Sequence, residues 1–540
     1  MGECIVSFYR SYVKDSWKQA FYSAVVFGLL VHLYKFTNNF PFFDSYFNAY
    51  SSQHMVASGR WFLSAACAMS SFFDLPWING IMSVLFIGLT AVVLTEIYEM
   101  NNPCLIIASS CLLASFPAVT ETLFFEYTAD GYMLAMLLSA LAVYFSRMEC
   151  YKSIRCTVAA AACICLSCGI YQAYISFSFI LAVSYFINKI LEEPENSRKH
   201  LIWIVYQAGI YILGLVAYYV IWKIILLFYH IQPTAYQGID GVGAFHLREL
   251  LFSGLRDSFT SFVSFLFDCN PIQDGWTMYS ALNAFSCAVF LLLIANAVYQ
   301  TKLYRYWVST LLLLLCVVAI PFGCCIFYFC SSKVVYFTRM MQSVVILYIF
   351  IGILCDRWLK GLKQNLVLAL LVMIIANNSV MANVCYYHID RGFERAKSTM
   401  NEISTRIHMV DEGTAKYIAF IGTFDRTHQE AFTDNSLYGT LGPLKKVEGA
   451  TVFYHSHMMQ ILSQYTDFTL QYYRIHGEEF PLQDVAQGNP VPAEYEWRFP
   501  AADTDTIQAL QESELVAEMG IWPGKNCIRQ IGDTIVIKLS

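Results

Sequence analysis

Acids, cations and aromatic side chains recur at the edges of apolar runs in this chain, and mostly at every second edge. Asp44, His54 and Arg60 follow the first run, and Glu121, Glu126 and Asp130 lie between the third and the fourth. Tyr171 and Gln172 fill a tight turn, Lys223 sits near the end of a later run, and Arg339 opens another. A carboxylate within reach of a hydroxyl can take its proton as the oxygen attacks. One or two cations can stabilise a departing phosphate, and aromatic rings can cover a sugar and exclude water. These residue types therefore suit glycosyl transfer from a polyprenyl-phosphate sugar whose tail stays in lipid. Asp44 is the candidate catalytic base, and Arg60 and Arg339 are the candidate phosphate ligands. Glu126, Asp130, Tyr171, Gln172, Lys223 and His54 are candidate sugar or acceptor contacts.

Each of these residues also has a plainer reading. Asp44 and Asp130 stand where helices begin and could cap them. Arg60 could anchor a loop to headgroups, and Lys223 could snorkel. His54 on an interfacial helix could simply hydrogen-bond. Gln172 could satisfy backbone groups freed at its turn.

The elements that position these side chains follow from composition. Of 540 residues, 57% are hydrophobic, 16% aromatic and only 14% charged. A soluble chain carries about 25% charged residues, so a lipid-facing fold is expected. A spanning helix needs about 20 predominantly apolar residues. Eleven candidates lie near 18–35, 77–97, 103–120, 131–147, 155–170, 172–190, 201–229, 278–300, 306–328, 340–356 and 364–386. The first lacks a cleavage site and reads as a retained anchor. The fifth and sixth are short, and whether they cross twice decides the side of every later loop.

Basic residues orient the bundle. With the N-terminus cytoplasmic, fourteen lie inside: Arg10, Lys14, Lys18, Arg147, Lys152, Arg155, Lys189, Arg198, Lys199, Lys302, Arg305, Arg357, Lys360 and Lys363. Six lie outside: Lys35, Arg60, Arg248, Arg256, Lys333 and Arg339. The expected topology is a multi-pass protein of the cytoplasmic membrane, N-terminus in and C-terminal part out. All the candidate site residues then share the outer face.

Two domains are expected: a transmembrane catalytic domain over 1–386, with long outer loops 36–76 and 231–278, and an extracytoplasmic α/β domain over 387–540. The loops contain amphipathic stretches, Asp44–Gly59, Trp61–Phe73 and Leu247–Phe267, suited to the interface. In the tail, Ile389–Met409, Tyr454–Gln464 and Thr506–Met519 read as helices and Tyr417–Gly422 as a buried strand. Cys527–Gln530 and Thr534–Leu539 read as a terminal hairpin. The Glu-rich helix reads as a solvated face.

Net charge is -6, which offers no basic face for nucleic acid. Most of the 18 cysteines lie in or beside apolar runs, where Cys acts as a small hydrophobe. No paired CxxC motif, phosphate loop or nucleophile elbow occurs. No cofactor is expected, because the lipid-linked sugar donor is a substrate; a divalent metal is left open.

Several motifs carry a resemblance. Phe42-Phe43-Asp44-Ser45-Tyr46 through Ser58-Gly59-Arg60-Trp61-Phe62 resembles the glucosyltransferases of the phage serotype-conversion type. So do Tyr127-Thr128-Ala129-Asp130-Gly131-Tyr132, Gly169-Ile170-Tyr171-Gln172-Ala173-Tyr174 and Phe337-Thr338-Arg339, in the right order over roughly residues 15–385. The terminal hairpin is similar to those of Gram-positive members. The resemblance implies a GT-C type fold and transfer of glucose, or a related hexose, from undecaprenyl-phosphate-glucose. The acceptor implied is a cell-surface polysaccharide outside the membrane. Two other classes compete. A flippase or transporter of lipid-linked precursors would carry internal repeats and a polar path through the bundle. A membrane acyltransferase would place a catalytic His at the membrane, for which His32, His54 and His230 are the candidates.

Overall fold

A computed structural model describes residues 13–40, 55–71, 73–234, 247–267, 277–331, 333–415, 417–422, 443–444, 474–476 and 504–539. Asp44, His54 and the expected helix Tyr454–Gln464 lie outside the described residues, as does most of the stretch Asp44–Gly59.

Each expected apolar run coincides with helix. The spans are α1 Asp15–Thr37, α2 Pro76–Ile97, α3 Pro103–Ser115 continued by α4 Pro117–Thr122, α5 Glu126–Phe145, α6 Ile154–Ile170 and α7 Tyr174–Glu192. They continue with α8 Ser197–Tyr229, then α10 Met278–Thr301, α11 Trp307–Cys324, α12 Val345–Trp358 and α13 Leu362–Val410, with the amphipathic α9 Leu247–Phe267 between α8 and α10. Among the described residues ten segments are long and apolar enough to cross a membrane, and α6 is the shorter eleventh.

Local chemistry sets the ends. Proline opens α2, α3 and α4, where its missing N–H costs nothing and its φ suits the first turn. The side chains of Asn102, Ser153 and Thr277 cap α3, α6 and α10. His230 and Lys302 end α8 and α10 in the left-handed region. Pro117 divides α3 from α4, since a proline disfavours helical geometry in the residue before it.

Alternation of the helices gives the bundle two ends. At one, Lys14 pairs with Glu96 at 2.9 Å and Arg147 donates to the Glu96 carbonyl. Arg357 pairs there with Glu192 and donates to the Tyr98 carbonyl. This is the basic end. At the other, the C-terminus of α1 meets the N-termini of α2 and α5, and the α6–α7 turn meets the residues before α2. This is the loop end. The pair α6 and α7 therefore runs out and back: Thr157 bonds Tyr206 in the first part of α8, whereas Gln172 reaches Ser58 at the loop end.

The helices α3, α5, α7 and α12 are largely buried, while α8, α10 and α11 leave leucines, valines and isoleucines exposed. With no hydrophobic drive between helices in lipid, close approach depends on small residues. Gly214 supplies this on α8, lying against Ile164 and the Ala161 carbonyl of α6.

Three expectations change in detail. The fourth span begins at Glu126, not at 131, so Asp130 lies in the second turn and caps nothing; the residue before the helix is Phe125, which makes no cap bond. The last span and the amphipathic helix Ile389–Met409 are one continuous 49-residue helix. No glycine or proline separates residues 386 and 389, so nothing breaks the backbone ladder where the side chains turn polar. Among its described residues, Trp61–Phe73 forms only the short helical turns Leu63–Ala66 and Ala68–Ser70.

The described chain clusters into two compact units, one holding the helices up to Tyr386 together with Pro443 and Leu444, and the other Phe40 and the rest of the tail from Tyr387. The second unit carries a four-stranded sheet of order β2-β1-β4-β3, with β1 Tyr417–Ile421, β2 Arg474–His476, β3 Ile528–Ile531 and β4 Thr534–Lys538. The neighbours of β1 are parallel to it, and the β3–β4 hairpin is antiparallel. Ile418, Ala419, Ile535, Val536 and Ile537 are buried, as central strands require. Two short helices, α14 Thr504–Gln511 and α15 Glu514–Ala517, precede the hairpin. Lys538 closes the end of α15 by donating to the carbonyls of Val516 and Met519.

Candidate active site at the loop end

Buried polar contacts radiate from one stretch of chain, Glu121 to Tyr132, where α4 turns into α5. Glu126 opens α5 and pairs with Lys35 in the last turn of α1; the two side chains are 3% and 1% exposed. A cation at a helix C-terminus and an anion at an N-terminus each gain from the macrodipole, which favours the charged pair where desolvation opposes it. Asn79 of α2 donates to the Glu126 carbonyl at 2.6 Å, and Asp74 accepts from the Tyr127 N–H at 3.2 Å. Glu126 is thus held inside a joint between three helices.

Glu121 grips Arg339. One carboxylate oxygen accepts from the Arg339 backbone N–H at 2.6 Å and the other from its guanidinium at 2.9 Å. The guanidinium lies 4.3 Å from the rings of both Phe125 and Phe337. Beside it, the Thr338 hydroxyl donates to the carbonyl of Pro443 at 2.9 Å.

Asp130 is 1% exposed. It accepts from the Gly131 N–H at 2.9 Å, with the Ser70 hydroxyl and the Cys67 thiol beside it. Burial, then the Asp130 carboxylate, pushes the Cys67 thiol up. The sulfur therefore stays protonated and is no nucleophile.

Arg60 completes the cluster. Its guanidinium donates to the Tyr132 hydroxyl at 3.2 Å and stands 5.0 Å from the Tyr171 ring, which stacks on Tyr132 at 4.6 Å. Arg339 lies at the same end, its guanidinium over Phe125 in the turn that leads into α5. Two guanidinium groups and two stacked phenols thus converge at one end of the bundle.

The remaining expected contacts are placed differently. Gln172 gives both amide hydrogens to structure, at 2.8 Å to the Ser58 carbonyl and 2.9 Å to the Tyr218 hydroxyl. Lys223 is exposed, over the rings of Tyr219 and Trp222. His32 is buried, with Nε2 facing the Ala114 carbonyl at 2.9 Å and Nδ1 the Tyr386 hydroxyl at 2.7 Å. A carbonyl only accepts, so in the neutral ring Nε2 carries the hydrogen and Nδ1 accepts from Tyr386. Both nitrogens are engaged, which leaves His32 no base to offer. Among the described residues no group of three His, Cys, Asp or Glu side chains is placed to hold a metal ion.

Sequence reading missed Lys35 as the partner of Glu126, and Tyr218 and Trp222 altogether; Tyr132 stood within a motif but was assigned no role. Lys35 had a signal, a cation in the last turn of an apolar helix. Tyr218 and Trp222 had none, because rings at a membrane interface are the common case.

No curated protein and no solved structure matches the chain. A family model for glucosyl transferase GtrII matches residues 33–355, from the last turn of α1 into α12. That range covers more than half of the chain and takes in Lys35, Arg60, the Glu121–Tyr132 stretch, Gln172, Tyr218 and Arg339. The chain belongs to the GtrII glucosyl transferase family and is a membrane glycosyltransferase.

Proposed function

We propose that the protein transfers glucose, or a related hexose, from a polyprenyl-phosphate sugar to a cell-surface glycan on the outer face of the cytoplasmic membrane. The convergence of Arg60, Arg339, Tyr132 and Tyr171 at the loop end carries this reading. Basic residues gathered at the opposite end support a cytoplasmic position for that end.

In this reading Asp44 accepts the proton of the acceptor hydroxyl as its oxygen bonds to the anomeric carbon. The bond from that carbon to the phosphate oxygen breaks, and polyprenyl phosphate leaves with its charge held by Arg60 and Arg339. The stacked rings of Tyr132 and Tyr171 offer a face for the sugar. Asp130 and His54 serve sugar or acceptor hydroxyls, and Lys223 the headgroup region. Glu126 acts through its pair with Lys35, keeping the start of α5 in place. The tail positions the acceptor glycan, a role that rests on its placement on the outer side in this reading.

The test is glucose transfer in lipid by purified full-length protein, supplied with undecaprenyl-phosphate-glucose and cell-wall polysaccharide fractions. Native protein should transfer label, and Asp44→Asn should lose at least about 100-fold, the scale of general-base catalysis. No transfer to any fraction would overturn the reading, and full activity in Asp44→Asn would remove Asp44 as the base.

A further inference from the structure

The backbone just before Arg60 is held in an unusual way. Four consecutive carbonyls each accept a hydrogen bond from outside the loop. Trp222 Nε1 donates to Val56 at 2.7 Å and the Thr234 N–H to Ala57 at 3.2 Å. Gln172 Nε2 donates to Ser58 at 2.8 Å and the Tyr218 hydroxyl to Gly59 at 3.2 Å. The donors come from α8, from the segment after it and from the α6–α7 turn. Gly59 stands at φ +82°, and a Cβ there would strike the Tyr218 hydroxyl and the Gln172 amide.

Buried carbonyls need donors, and a loop without a regular ladder must find them one by one. What singles out Tyr218 and Trp222 is where they sit. Their neighbours Tyr219, Val220, Ile221 and Lys223 are exposed. The inward stripe of α8 is Tyr211, Gly214, Tyr218 and Trp222; its upper half bonds Ser178 and packs on α6, and its lower half grips the loop.

We propose that Tyr218 and Trp222, together with Gln172, are positioning residues that hold the Met55–Arg60 backbone so that the Arg60 guanidinium meets the donor phosphate. This rests on the reading of Arg60 as a phosphate ligand. None of the three touches the donor. They fix the carbonyls on the N-terminal side of Arg60, while Tyr132 and Tyr171 fix its guanidinium.

The experiment is a double-mutant cycle on the full-length protein in lipid nanodiscs, measuring binding of labelled undecaprenyl-phosphate-glucose. Arg60→Gln should weaken binding by about 10-fold or more, as expected for a lost charged hydrogen bond. Tyr218→Phe and Trp222→Phe, which keep a ring, should each weaken it roughly three- to tenfold, the scale of one neutral hydrogen bond. Neither should weaken it further in the Arg60→Gln background. Tyr211→Phe, on the same helix as Tyr218 and Trp222, loses only the bond to Ser178 of α7 and should bind as native. If Tyr218→Phe and Trp222→Phe bind as native, or if their losses persist beside Arg60→Gln, the positioning role is overturned and the Arg60 reading stands. If Arg60→Gln binds as native, the phosphate role of Arg60 fails and this inference falls with it.

Discussion

Lys35 and Glu126 show how much depends on single side chains at the loop end. Both are buried, and each is tolerable there only because the other is present. Lys35→Met should leave the Glu126 charge buried and cost about 3–5 kcal/mol. Lys35→Met combined with Glu126→Leu should recover most of that loss, because replacing a whole buried pair by apolar groups is often neutral. Thermal unfolding of the detergent-solubilised protein measures both. Equal loss in the single and double variants would mean that the pair is not what stabilises the joint. Glu126 itself was legible as a candidate from its type and place. Its partner was not, since the two residues lie 91 positions apart.

Among the elements, α6 and α7 matter most, because the side of every later loop depends on their crossing twice. At 17 residues, α6 spans about 26 Å at 1.5 Å per residue, a little under the roughly 30 Å of a bilayer core. It meets Tyr206 through Thr157 near its start, and it hands over to Tyr171 and Gln172 at the loop end. A cysteine introduced at Lys152 should therefore react only with reagent on the cytoplasmic side, and one at Ala173 only from outside, on a background cleared of exposed native cysteines. Labelling of both from one side would reverse α7 and all that follows. The spans were legible because apolar length alone defines them. The start of α5 was not, because Glu126, Thr128, Asp130 and Gly131 read as a loop until Lys35, Ser70 and Cys67 are seen to receive them.

For the whole molecule, the proposed eleven crossings put the two termini on opposite sides of the membrane. The proposed orientation, with the basic end in the cytoplasm, puts the sheet-bearing unit outside. Protease added to intact cells should then remove the chain beyond Val410 and spare the N-terminal segment, whereas inside-out vesicles should give the reverse. Protection of the tail in intact cells would invert the topology and move the proposed site to the cytoplasmic face.

Sequence by itself determined the helical membrane class, the spans, the bias of basic residues and the set of chemically capable side chains. These follow from composition and spacing, because water and lipid act on every residue locally. Only the tertiary structure decided which of those side chains meet. Glu121 closes on Arg339 across 218 positions, Arg60 reaches Tyr132 across 72, and Gln172 turns its amide to Ser58 across 114. A buried polar group must be paired, but its own position along the chain does not say with what. For that reason the acids and arginines could be nominated from the sequence, while the grip of Tyr218, Trp222 and Gln172 on the loop before Arg60 came to light only in the fold.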